Sequence, residues 1–142
     1  MKITRFEDIE VWKSARKLAN LVYQATEARN LSKDFELRDQ MIRAALSAMA
    51  NIAEGFDSGS DAEFARFLRI SQRSATELQS HLSVAADRGY LAPSAFDSLY
   101  NKASDVKKLT GGFIRHLKGS RRSTKDYGLG TKDFQCARLS LR

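Results

Sequence analysis

The sequence reads as all-α, and more closely as an antiparallel up-down-up-down four-helix bundle. Apolar residues recur in steps of three and four along four separate segments, the spacing that gathers them on one face of a helix turning 100° per residue. Short polar stretches holding cap and turn residues divide the segments. No stretch of useful length alternates apolar and polar residues as a half-buried strand would.

Helix one is expected from about Glu7 to Ala28, with Val11, Ala15, Leu18, Val22 and Ala25 on its inner face and Trp12 and Ala19 widening it. Lys13, Arg16, Lys17, Asn20 and Gln24 fall on the other side. The connection ARNLSKD ends at Asp34, a good N-cap for a second helix from Phe35 to about Gly55. That helix is apolar nearly all the way round. Polar residues recur only at Gln40, Arg43, Ser47, Asn51 and Glu54, in one narrow stripe. Met41, Ala45, Met49, Ile52 and Phe56 form the seam opposite, flanked by Ala44, Ala48, Leu46, Ala50 and Ala53. A helix this apolar requires cover on more than one side, so Leu46 and Ala50 are expected to meet a second copy of the chain. Arg43, Ser47, Asn51 and Glu54 are expected to hydrogen-bond within the fold or across that interface.

The stretch FDSGS then interrupts the pattern: Gly59 suits a turn, and Ser60 with Glu63 makes a capping box that opens helix three. Its seam, Phe64, Leu68, Ser71, Ala75, Leu78, Leu82 and Ala85, runs unbroken to a stop at Gly89. Pro93 suits the first turn of helix four, whose seam is Phe96, Leu99, Ala103, Val106, Thr110, Phe113 and Leu117. The pair Gly111-Gly112 costs about 1 kcal/mol per glycine against alanine and is expected to loosen that helix. The reading divides the chain into a bundle domain, 1–118, and a basic tail, 119–142, that is flexible or ordered by a partner.

Hydrophobic residues make up 42% of the chain and charged residues 29%, the balance of a water-soluble domain with no membrane span. The start MKITRFEDIEVW lacks the apolar core of a secretory signal, and Cys136 is the only cysteine, so a cytoplasmic location without disulfides is expected. Net charge is +7, which favours polyanionic partners. Arg66, Arg69 and Arg73 form an outward arginine line on helix three, suited to phosphate because each guanidinium can donate two parallel hydrogen bonds. Lys13, Arg16 and Lys17 on helix one, with Arg121 and Arg122 in the tail, complete the candidate nucleic-acid-binding set.

Catalytic chemistry finds little support. A di-metal bundle site needs Glu-x-x-His on two helices, whereas the nearest pair, Glu77 and His81, is spaced by four and faces away from the seam. His116 stands alone, Glu54 lacks a second acid or base to work with, and no phosphate loop of the type GxxxxGKS occurs. We therefore expect no enzyme, cofactor or metal.

Four stretches, in order, carry a resemblance: FEDIEVWKSARKLANLVYQAT, AALSAMANIAEG, DAEFARFLRISQRSATELQSHL and ADRGYL. Together they resemble the four-helix-bundle proteins encoded within intervening sequences of bacterial 23S ribosomal RNA genes, a broad family that includes the accessory variability proteins of diversity-generating retroelements. The resemblance covers roughly residues 4 to 118. It implies a ring-shaped homo-oligomer, five-fold in several relatives, acting as an accessory to an intervening or mobile element. The net charge and the basic residues named above make RNA or DNA the expected partner, and the resemblance adds a reverse transcriptase or another element-encoded protein. The alternative is a protein-interaction scaffold with no nucleic-acid role.

Overall fold

Four helices pack in chain order: α1 (Glu10–Thr26), α2 (Phe35–Phe56), α3 (Asp61–Asp87) and α4 (Pro93–Tyr127). The computed structural model describes residues 4–127, with side chains described as far as Gly119. There is no strand among the described residues. Each helix packs on the next and α4 closes against α1, which is the neighbour pattern of an up-down-up-down four-helix bundle. The contact of α2 with α3 is the most extensive and that of α1 with α4 the least among these four.

Local chemistry sets most of the boundaries. The Asp34 carboxylate accepts the Leu37 N–H at 3.2 Å and starts α2, and the Tyr90 hydroxyl donates to its second oxygen at 3.1 Å. Ser60 caps α3 by accepting the Glu63 N–H at 3.2 Å. The Glu63 carboxylate, expected to reach back to the cap, instead accepts from Arg66 at 3.0 Å, so the box is half formed. Gly59 and Gly89 take left-handed φ of 87° and 75°. At Gly89 the chain ends α3 in a Schellman turn, Tyr90 N–H to the Ala85 carbonyl and Gly89 N–H to that of Ala86, both at 2.9 Å.

Two boundaries differ from expectation. Helix one begins at Glu10 because Phe6–Asp8 forms a separate 3-10 turn and Ile9 is extended, φ −83° and ψ 127°, with its side chain buried. The turn brings the Phe6 ring edge-on to Trp12, centroids 5.0 Å apart. At the other end α4 stays helical through Gly111-Gly112 and on to Tyr127, past the expected limit at 118. The tail positions 128–142, with Cys136, lie outside the described residues, as do the side chains of Arg121 and Arg122.

The seams of α1, α3 and α4 supply the core, with Leu18, Phe64, Leu68, Leu78, Leu82, Val106 and Leu117 at no more than 2% exposure. Each such side chain contributes about 1.5–3 kcal/mol. The seam of α2 is rotated from the expected line: Leu37, Met41, Ala44, Ala45, Ala48, Ile52 and Gly55 are buried, while Met49 and Phe56 are at its edge. Small residues on α3 cause the rotation. Ser71 Oγ donates to the Ala48 carbonyl at 2.7 Å and Ser74 Oγ lies 2.7 Å from Ser47 Oγ, so α3 draws the serine edge of α2 inward. Ile42, Leu46 and Ala50 are left on a shallow outer groove with Asp39, Arg43 and Ser47.

Candidate nucleic-acid interface

The arginine line on α3 divides into two parts. Arg66 is held within the chain: Nη2 and Nε donate to Glu63 at 3.0 and 3.2 Å, and the guanidinium lies 4.6 Å from the Phe67 ring centre. Arg69 and Arg73 make no ion pair among the described residues. They line a shallow groove of about 450 Å³ between α3 and α4 with Gln72, Thr76 and Lys107. Gln72 fixes the helix spacing there by donating to the Lys107 carbonyl at 3.0 Å, and the Lys107 ammonium donates to Gln79 Oε1 at 3.1 Å. Three cations on one groove, none opposed by a lining carboxylate, form an anion-binding surface.

A second basic surface lies on the other side of α4. Lys13, Arg16 and Lys17 of α1 share a groove of about 710 Å³ with Lys102 and Leu109 of α4. Trp12, Ser14 and Asn20 also line it, as do Glu7 and Glu10. Both acids are engaged: Glu7 with Arg5 at 2.6 Å, and Glu10 with Lys13 at 3.4 Å. The hydrogen bond from Arg5 holds the Glu7 carboxyl below its usual pKa. The Arg16 guanidinium stands 5.6 Å from the Trp12 ring centre.

Lys102 and Lys107 were not among the sequence candidates. Their placement follows from α4 packing on both α1 and α3, so that one helix contributes a cation to each groove; only the closing of the bundle shows it.

The polar stripe of α2 serves the bundle in part. Ser47 bonds to α3 as described, and Asn51 Nδ2 turns back on its own helix, donating to the Ser47 carbonyl at 2.8 Å and to Ser47 Oγ at 3.1 Å. Arg43, Ala50 and Glu54 are exposed and Leu46 is half-buried. Glu77 and His81 form a surface pair at 3.4 Å. Burial lowers the His116 pKa. Among the described residues no cluster of three or more His, Cys, Asp or Glu could hold a metal ion, and no helix is long and apolar enough to cross a membrane.

A family model described as 23S rRNA-intervening sequence protein matches residues 7–112. Among solved structures, the chain is similar to a protein of unknown function from the S23 ribosomal protein family of Bacteroides thetaiotaomicron, determined at 1.70 Å resolution. The TM-score is 0.68 and the identity 26%, over 73% of this chain and 97% of that one. No curated protein matches.

Proposed function

The chain belongs to the 23S rRNA-intervening sequence protein family, and from that premise and its two basic grooves we propose a non-enzymatic homo-oligomer that binds RNA or DNA through phosphates. The observation that carries the reading is the groove of Arg69, Arg73 and Lys107, where three cations line one surface with no carboxylate among the lining residues. Phosphate contacts of this kind neutralise a polyanion without reading base edges, so binding depends strongly on salt and weakly on sequence. The outer groove of Ile42, Leu46 and Ala50 on α2 is the surface for self-association, and repetition of the basic grooves around a ring raises avidity. An accessory role to an intervening or mobile element, with a reverse transcriptase or other element-encoded protein as partner, follows from the family resemblance.

The rival is an interaction scaffold, favoured by the internal pairing of Arg66 with Glu63, which withdraws one cation from the expected line. Fluorescence anisotropy of a labelled RNA across a salt series separates the two. Replacing Arg69, Arg73 and Lys107 together with glutamine should weaken binding and flatten the slope of log K against log salt. The slope changes by about 0.7–0.9 units for each phosphate that is no longer neutralised. A triple variant that keeps both affinity and slope excludes this groove. Absence of binding by the parent at low salt, with assembly intact, establishes the scaffold instead.

A further inference from the structure

The groove between α1 and α4 differs in chemistry from the one between α3 and α4, and the difference bears on which nucleic acid the chain takes. A phosphate track needs cations alone. Here Lys13, Arg16, Lys17 and Lys102 surround the half-buried Trp12 and Leu109, a leucine left 40% exposed. Asn20 donates its amide to the Arg16 carbonyl at 3.0 Å, and its side-chain oxygen remains free to accept. The volume of about 710 Å³ lies within the roughly 300–1,000 Å³ typical of small-molecule sites.

Resting on the nucleic-acid reading above, we propose that this groove seats an unpaired base, so that the preferred ligand is single-stranded. The base lies against Trp12 and Leu109 while Lys17 and Lys102 hold the adjoining phosphates. Aromatic rings accept the flat face of any base, and a guanidinium plane such as that of Arg16 stacks in the same way, which gives affinity with little sequence preference. A duplex keeps its bases paired and stacked, and can offer such a groove only its phosphates. Charge supports a nucleotide over a second copy of the chain: with Glu7 held by Arg5 and Glu10 by Lys13, the lining keeps Arg16, Lys17 and Lys102 without an ion pair among the described residues.

Trp12 is the only tryptophan in the chain, so its fluorescence reports on this groove alone. An end-labelled oligo(U) and an RNA duplex of equal length are titrated into the full chain at low salt, with anisotropy and Trp12 emission read together. Oligo(U) should change Trp12 emission saturably and in step with anisotropy, whereas the duplex should raise anisotropy and leave Trp12 unchanged. Trp12→Leu should weaken oligo(U) about ten-fold, the loss expected for one stacked base, and leave duplex affinity within about two-fold. Trp12→Phe should restore most of the loss, and Lys102→Gln, which leaves the ring in place, should weaken oligo(U) without abolishing the Trp12 response. Binding of oligo(U) with silent Trp12, or an equal Trp12 response to duplex, overturns the base site and leaves the phosphate reading standing. No anisotropy change with either ligand overturns both. A Trp12 shift that follows protein concentration without nucleic acid overturns the base site and assigns the groove to a second copy.

Discussion

A methyl group has opposite consequences at different glycines of this chain. At Gly55 a Cβ would stand 2.8 Å from Phe67 Cβ and 3.3 Å from the Phe64 carbonyl oxygen, so α3 must move to admit it. Overpacking of this kind costs about 1–3 kcal/mol, more than the ~1 kcal/mol that alanine gains over glycine in a helix. Gly55→Ala should therefore lower the denaturant midpoint. At Gly112 the added carbon would meet only the end of Arg115 at 3.8 Å, and Gly112→Ala should raise the midpoint by about 0.5–1 kcal/mol in stability. Gly111 is intermediate: its Cβ would crowd the Gln72 amide at 3.0 Å, the group that bonds to the Lys107 carbonyl. Helical propensity alone assigns the pair 111–112 a common cost, because the difference lies in what α3 places over each position.

Among the elements, the start of α2 is tied to the connection between α3 and α4 through one carboxylate. Asp34 serves Leu37 with one oxygen and Tyr90 with the other. Asp34→Ala should lose about 0.5–2 kcal/mol for the cap together with the Tyr90 bond, while Tyr90→Phe should lose only about 0.5–1.5 kcal/mol. A double-mutant cycle in urea, in which the double variant loses less than the sum of the singles, would confirm that they share the interaction. The cap was legible because the reason for it lies within four residues of chain. So were Gly59, Ser60, Gly89 and Pro93, each of which acts on its own neighbours. The rotation of α2 was hidden because Ser71 and Ser74 act on it from another helix. The break at Ile9 was hidden because the 3-10 turn before it is secured by the Phe6 ring on Trp12. Of the candidate site, the cations of α1 and α3 could be read from helical spacing, whereas Lys102 and Lys107 needed the closure of α4 on both sides.

For the molecule as a whole, assembly tests the outer face of α2. Leu46→Glu or Ala50→Glu introduces a charge into the shallow groove of Ile42, Leu46 and Ala50 without entering the core, since Ala50 is exposed and Leu46 half-buried. Light scattering should show smaller species for both variants with unchanged helical content. An unchanged mass would exclude this face as an interface between copies of the chain. The pairing of α2 with α3 also has a consequence in time. These helices are joined by the short turn 57–60, make the most extensive contact in the bundle, and approach closely at Gly55, beside that turn. Closing so small a loop sacrifices little chain entropy, so the α2–α3 hairpin is the natural nucleus for folding. α1 can join only when α2 and α4 together offer it a surface. Substitutions at Ser71 or Leu68 should then slow folding, and those at Leu18 or Val22 should mainly hasten unfolding. The order in which the bundle assembles would thus begin in the middle of the chain and finish at its first helix.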